Sequence, residues 1–367
     1  MRFLFPLLPL CILLFGCSSS DETVTTTIPQ EEMYFPSTAN DNWDTVDIAS
    51  LNWNEEELTG LFMHLETNNT RAFIVLKNGR IAIEKYWGNN IVNTAAFTRD
   101  SQWYWASAGK SLTATLVGIA QQEGLLAIGD KTSDYLGADW TSLSLAKENL
   151  ITIKDQLQMT TGLDYEISDL DCTVPNCLTY RQDAGTQWYY HNAPYTLLEQ
   201  VVSNAAGTDY NNYTDQKIES PIGMNGQWIL SGYNNVYWST ARDMARFGLL
   251  IENEGNWDGI EVLNDQNYYT QMVSSSQELN PAYGYLWWLN GKNSIIFPSL
   301  PNSFPIPLTE NAPDDLFAAL GKNGQIIDIV PSQNLVVIRM GEAPDGSLVP
   351  IQFHDEMWQN LNRVITE

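Results

Sequence analysis

Strand-forming sequence in this chain is concentrated at its two ends, and that distribution limits the folds open to it. Near the start, Ala72-Phe73-Ile74-Val75-Leu76 and Ile81-Ala82-Ile83-Glu84-Lys85-Tyr86 flank Asn78-Gly79. Asn-Gly supplies the positive backbone angles of a tight type I′ turn, so the two runs form a hairpin. Near the end, 316–320, 326–330 and 335–340 read as three further strands, the last two separated by Pro331-Ser332-Gln333-Asn334. Elsewhere the apolar spacing is helical. Leu58, Leu61, Phe62 and Leu65 mark a helix over 54–67, and 153–159, 194–202, 240–253 and 357–364 read as others. The 153–159 helix is expected to stop at Gly162. Strands at both ends with helices between them give the expected class, α+β. Both chain ends build one antiparallel sheet with flanking helices, and the middle, 125–282, forms a mainly helical lobe of loops and short helices.

At 367 residues the chain has ample material for a large core. Its formal charge of -26, from 44 acidic and 18 basic residues, excludes nucleic acid and anionic lipid surfaces as electrostatic partners. The N-terminus reads as a secretion signal over 1–16: Met1-Arg2, then an apolar run too short for a comfortable membrane span. Leu14-Phe15-Gly16-Cys17 resembles the bacterial lipobox. That resemblance implies lipidation of Cys17 and a flexible tether over 17–45, with the folded domain at 46–367. It also implies export across the inner membrane to a periplasm-facing or surface position, anchored to a membrane by lipid, with Ser18 favouring the outer membrane. Setting aside Cys11 and Cys17 leaves Cys172 and Cys177, which form either a small disulfide loop or two free thiols. His64, His191 and His354 fit no ligand spacing, so neither a metal nor a cofactor is expected.

Chemistry enters with Trp105-Ala106-Ser107-Ala108-Gly109-Lys110-Ser111-Leu112, read as the first turn of a buried helix. Three-residue spacing stacks Lys110 over Ser107 on one helix face. A lysine in a dry pocket loses basicity and can then accept the serine proton. Two later stretches join this pair: Gly185-Thr186-Gln187-Trp188-Tyr189-Tyr190-His191-Asn192, and Gly321-Lys322-Asn323-Gly324-Gln325 leading into a strand.

The order S-x-x-K, Y-x-N, K-x-G resembles the three-motif layout of serine β-lactamases and penicillin-binding proteins. The tyrosine in the second motif is similar to the branch holding class C β-lactamases, D-alanyl-D-alanine carboxypeptidases, esterases and nylon-oligomer hydrolases. Ile151 to Leu157 with Thr161-Gly162-Leu163, Trp238 to Phe247, and Tyr283-Gly284-Tyr285 with Trp287-Trp288 extend the likeness over roughly 70–365. The resemblance implies a β-lactamase/transpeptidase-like fold and assigns roles by position. Ser107 becomes the acylated nucleophile, Lys110 its proton acceptor, and Tyr190 the acid/base that serves the leaving group. Two nearby lysines, Lys110 and Lys322, are expected to favour the Tyr190 phenolate. Asn192, Lys322 and Gly324 would contact substrate, and the backbone N–H groups of Ser107 and Gln325 would form the oxyanion hole.

Two positions depart from the pattern. Asn323 stands where penicillin-recognising members carry a hydroxyl, and His191 replaces a small or polar residue. The expected function is hydrolysis of small esters or amides through an acyl-enzyme. D-alanyl peptides or β-lactams are the alternative substrates, and a non-catalytic binding lipoprotein is the alternative class. A Ser-His-Asp hydrolase is disfavoured because Trp105 fills the first glycine of a nucleophile elbow. Trp103, Trp105, Trp188 and Tyr189 are expected to pack the core, some of them walling a flat apolar cleft. The oligomeric state is not encoded in any of these features.

Overall fold

The computed structural model describes residues 32–365. The signal segment 1–16 and Cys17 lie outside the described residues. Packing begins well before residue 46. The Tyr34 backbone N–H donates to Asn78 O at 3.0 Å, and the buried Trp43 indole donates to Gly79 O at 2.7 Å. Residues 33–45 thus cover the first hairpin rather than trail as a tether, because Tyr34, Phe35 and Trp43 carry apolar surface to bury.

The hairpin itself forms as its sequence requires. Strands β1 (Thr70–Lys77) and β2 (Arg80–Tyr86) join through Asn78 and Gly79, at φ 49° and 78°. Next come β3 (Trp103–Tyr104), β4 (Gly226–Ser231) and β5 (Asn234–Ser239), followed by β6 (Trp288–Leu289). The last three are β7 (Phe317–Gly321), β8 (Gln325–Val330) and β9 (Leu335–Gly341). The main sheet runs β2-β1-β9-β8-β7-β6, antiparallel at every step, so the two chain ends meet where β1 pairs with β9. That is the expected α+β architecture.

Six helices matter for the site: α1 (Leu58–Thr67), α2 (Gly109–Gln122), α3 (Ile153–Gln158), α4 (Asn192–Ala206), α5 (Ala241–Glu252) and α6 (Ile351–Val364). Helix α3 ends with Met159 in the left-handed region at φ 62°, ahead of the expected glycine stop. Strand periodicity shows how the sheet is covered. Val336 faces α5, whose Gly248 comes so close that an added Cβ would sit 2.5 Å from Val336 Cγ1. Arg339 lies an odd number of residues away and so points to the opposite face, where its guanidinium is 5.0 Å from the Phe353 ring of α6. The same alternation on β8 sends Asp328 to α6, where it accepts from the Trp358 indole at 2.8 Å and meets His354 at 2.7 Å. With helices on both faces, β8 and β9 are buried along their whole length.

The middle of the chain differs from a simple helical lobe in two respects. Helix α5 leaves it to dock on the sheet, and β4–β5 form a hairpin that takes up β3 in a separate three-stranded sheet. The hairpin's signal was present in Gly232 between Trp228-Ile229-Leu230 and Val236-Tyr237-Trp238, masked by the polar residues around it.

The α5 contact gives a direct test of this packing. Gly248→Ala adds helix propensity but forces a methyl into Val336, so a net loss of about 1–3 kcal/mol is expected. Urea unfolding measures it, and an unchanged or raised midpoint would contradict the close approach of α5 to the sheet.

Candidate active site

Ser107 is presented by a single 3-10 turn, Ala106–Ala108, that precedes α2 rather than by the first turn of α2 itself. Ala106 stands at φ 48°, a left-handed conformation that costs about 1–3 kcal/mol outside glycine and persists only where surroundings enforce it. They do so here. The buried Trp105 donates its backbone N–H to Tyr237 O at 2.8 Å and its indole to Ser239 Oγ at 2.8 Å. On the other side Gly321 presses in, its hypothetical Cβ only 2.4 Å from Trp105 O and 3.0 Å from Ala108 N. No larger residue fits there.

Behind the turn, α2 is buried from Gly109 to Ala120, and its polar groups are internally satisfied. Ser111 donates to Leu286 O at 2.7 Å, and Thr113 accepts from the Tyr210 hydroxyl at 2.9 Å. Lys110 shares this burial at 3% exposure. Its Nζ donates to Ser107 Oγ at 3.0 Å and lies 3.8 Å from the centroid of the Tyr195 ring. Burial lowers the Lys110 amine to about 7, against the opposing fields of Asp171 and Glu199. A substantial neutral fraction therefore exists near neutral pH.

Tyr190 precedes α4 and stacks on Trp288 at 5.8 Å between ring centroids. The Lys110 Nζ is 5.2 Å from its ring. Burial pushes its phenol well up, opposed only by interaction with the Ser107 hydroxyl. The expected phenolate is thus corrected to a protonated phenol, since desolvation of the buried ring outweighs any help from lysines. His191 is buried and lowered to about 4 by that burial, so it is neutral; its ring does not line the cleft.

A cleft of about 300 Å³ opens at Ser107, with Lys110, Tyr190, Asn192 and Lys322 along it. Gly324 and Gln325 are absent from its lining. Gln325 starts β8 fully buried, opposite Gly321 in the β7–β8 ladder with its side chain tied to Gly341 N and O, and no part of it lines the cleft, so its expected backbone donor is not presented there. Gly324 is likewise turned inward, where its carbonyl accepts from Arg339 at 2.9 Å. Lys322 is the residue on the cleft side of this hairpin. Gly321 O accepts from Gly324 N at 3.1 Å within the turn. Across a trans peptide the following N–H points the opposite way, so the Lys322 N–H is aimed away from the interior of the turn. Asn323 donates to the Tyr104 hydroxyl at 2.8 Å and lies outside the cleft lining.

Trp103, Trp105 and Trp188 pack the core as expected, and none of them or Tyr189 walls the cleft. Tyr189 stacks on Tyr165 at 3.8 Å outside the cleft lining. Leu170, Val236, Pro298, Leu348 and Val349 provide the apolar surface instead.

Sequence reasoning did not single out Asp171, Tyr195, Asn235 or Glu199. Asp171 adjoins Cys172, which is bridged to Cys177, and its Oδ1 accepts from Asn192 Nδ2 at 2.6 Å. Asn192 is thereby held by a carboxylate and does not cap α4. Glu199 could have been found as an acid set among Leu198, Val201 and Val202 on the buried face of α4.

Comparison with known proteins shows likeness over most of the chain. Residues 68–346 match the family model described as Beta-lactamase. The chain is 26% identical over 301 residues to an uncharacterized protein of Alkalihalophilus pseudofirmus, covering 73% of this chain and 82% of that one. It is 22% identical over 315 residues to the 6-aminohexanoate-dimer hydrolase of Paenarthrobacter ureafaciens, covering 78% and 76% respectively. Among solved structures it is similar in fold to a penicillin-binding protein homolog from Caulobacter crescentus. The TM-score is 0.65 at 12% identity, over 83% of this chain and 97% of that one.

The depressed basicity of Lys110 can be observed without any substrate. Lysine-selective ¹⁵N labelling followed by NMR titration should show one amine titrating near 7, lost in Lys110→Met. A full set of amines titrating at ordinary lysine values would contradict it.

Proposed function

The chain belongs to the β-lactamase family, and we propose that it is a serine hydrolase that cleaves small esters or amides through an acyl-enzyme on Ser107. The observation that carries this reading is the 3.0 Å hydrogen bond from Lys110 Nζ to Ser107 Oγ, made by an amine that burial holds at about 7. A neutral amine at that distance accepts the hydroxyl proton as Oγ attacks a carbonyl carbon. The carbonyl π electrons move onto oxygen, and in this reading the N–H groups of Ser107 and Lys322 donate to that charge. Collapse of the intermediate expels the alcohol or amine, protonated by the Tyr190 phenol, which regains a proton from the Lys110 ammonium. Water then attacks the acyl carbon with Lys110 again as base, and the intermediate collapses by expelling Ser107 Oγ, which takes the proton back from the Lys110 ammonium as the acid is released.

Substrate size follows from the cleft, which at about 300 Å³ is near the lower end of ligand sites. Lys322 offers a cation for a substrate carboxylate, while Asn323 is turned to Tyr104 and offers no hydroxyl in the cleft. This arrangement favours esters and linear amides over β-lactams, whose carboxylate must be gripped through both chemical steps. Esters need less leaving-group protonation than amides and should react faster.

A panel of p-nitrophenyl acyl esters, linear amides, D-alanyl peptides and nitrocefin tests the proposal. Ester hydrolysis should exceed amide hydrolysis, with nitrocefin slow or inert, and Ser107→Ala should abolish all of it. Lys110→Ala, Tyr190→Phe and the double variant should lose comparable activity because the two groups act as one proton-transfer unit. The sign of the pH dependence is set by Lys110. The base must be neutral, so kcat/KM should fall about tenfold for each pH unit below about 7. Efficient nitrocefin turnover with silent esters would return the protein to the β-lactamases proper, and full activity in Tyr190→Phe would break the proton path.

A further inference from the structure

The mouth of the cleft is built from sequence that carries no charge. In a chain with 44 acidic and 18 basic residues, the two longest runs without Asp, Glu, Lys or Arg among the described residues are 220–241 and 293–309. Both reach the cleft. The first supplies Asn234, Asn235 and Val236 to its lining, and the second supplies Pro298 and Ser299. A third uncharged run, 346–354, supplies Leu348 and Val349. Three segments remote from one another in sequence thus bring a neutral border to one cleft, in a chain whose formal charge is -26.

Apolar side chains continue outward from these lining residues. In the β4–β5 ladder Ile229 stands opposite Val236 and Leu230 opposite Asn235, so each lies one strand, about 5 Å, beyond a residue of the cleft. Alternation puts Ile229 and Val236 on one face of this hairpin, the face opposite to the buried pair Trp228 and Tyr237. Ile229 and Leu230 are exposed, Leu230 at 72%, and so is Tyr233 at the hairpin tip. Leu300 is exposed immediately after Pro298 and Ser299, in the turn of a short hairpin that pairs Ile296 with Ser303 and Ile295 with Phe304. Leu348 lines the cleft and is also 50% exposed, so at that residue the inner wall and the outer surface are one.

Single exposed aliphatic residues are ordinary on a protein surface, but a group of them gathered around a cleft marks a site of apolar contact. We propose that this uncharged rim is the outer part of an acyl subsite, and that the preferred substrates carry medium-length apolar acyl chains, with the carbonyl at Ser107 and the tail running out over Val236, Leu348 and the side chains beyond them. This rests on the acyl-enzyme reading given above and extends it beyond small acyl groups. The cleft of about 300 Å³ encloses the reacting end, and the rim receives what the cleft is too small to hold. In that reading the leaving group is served by Tyr190, which lies ahead of α4 and outside all three runs, so the rim is left to the acyl side. An alkyl tail has no charge to pair and gains only by leaving water, which is what a border free of ionic groups offers it.

A series of p-nitrophenyl esters from butyrate to decanoate, held below micelle formation, reads the subsite directly. A fully buried methylene is worth about fourfold in affinity and a half-covered one about twofold, so kcat/KM for octanoate should exceed that for butyrate by about tenfold. Ile229→Thr combined with Leu230→Thr keeps uncharged, strand-compatible side chains on the hairpin while removing most of its aliphatic surface. It should reduce the octanoate-to-butyrate ratio to about threefold or less, and Leu348→Ser should lower the same ratio from the other wall. If the hairpin variant does not fold, Leu348→Ser decides by that ratio.

A parent that turns over octanoate no faster than butyrate overturns the inference, as does a steep series that survives the folded variants. A length effect confined to the alcohol side, found with acetates of butanol to decanol, contradicts it by placing the chain on the leaving group. Binding to phosphatidylcholine vesicles that is lost in the hairpin variant, together with a flat ester series, would assign the rim to a lipid surface and overturn the acyl subsite. In each of these cases butyrate is still hydrolysed and the acyl-enzyme reading stands. Silence on every ester, with no fluorophosphonate adduct on Ser107, would instead remove that reading and the subsite with it.

Discussion

Desolvation of one amine is the constraint on which the site depends. Lys110 is enclosed by the first turns of α2, the Tyr195 ring and the cleft-side residues of α4, and it spends a hydrogen bond on Ser107 Oγ. In water an ammonium is a poor base at neutral pH. Burial costs the charged form its hydration and so favours the neutral amine that a serine nucleophile needs. The same burial keeps the Tyr190 phenol protonated, which suits lysine to the part of base and tyrosine to that of acid in the proposed reaction. Two carboxyls, Asp171 and Glu199, oppose the effect without cancelling it.

The rest of the fold serves to keep that environment dry and its parts in register. Pairing of β1 with β9 brings the chain ends together, and helices on both faces bury β8 and β9 completely. Arg339 shows how closely the sheet and the site are linked. It is fully buried, with its guanidinium donating to the carbonyls of Asn68, Asn323, Gly324 and Glu342 and to Thr70 Oγ1. Those bonds hold the β7–β8 turn in place and with it Lys322 at the edge of the cleft. Gly321 lets the same turn approach the Ser107 backbone, where Ala106 is kept in a left-handed conformation. Strain at that residue is thus paired with contacts on both sides that enforce it.

What could be read from the sequence depended on whether a signal was local. The Asn78-Gly79 hairpin, the α2 helix and the approach of Lys110 to Ser107 follow from short-range rules and stand in the structure, although a 3-10 turn ahead of α2 carries Ser107 where the helix itself was expected to. Tyr190, Asn192 and Lys322 came from a pattern of motifs, and the fold brings all three to one cleft. Gln325 failed because motif order does not say which side of a hairpin turn a residue occupies; the pleat buried it and left Lys322 at the cleft. Long-range packing was only partly legible: Trp105 and Trp188 were expected to pack the core and do, but which residues wall the cleft depended on neighbours distant in sequence. Glu199 was visible as an acid on an apolar helix face, but its partner Asn235 is placed beside it only by the tertiary fold.

Whether Ser107 is a covalent nucleophile is the claim beneath all of this, and one measurement addresses it without knowledge of the natural substrate. A fluorophosphonate reacts with a serine only where that serine is activated and an oxyanion site is formed. Labelling of the folded protein followed by peptide mapping should place the adduct on Ser107, with no adduct in Ser107→Ala and a much slower reaction in Lys110→Ala. An adduct on a different serine, or none on protein shown to be folded, would contradict the account and favour a binding protein on a hydrolase scaffold.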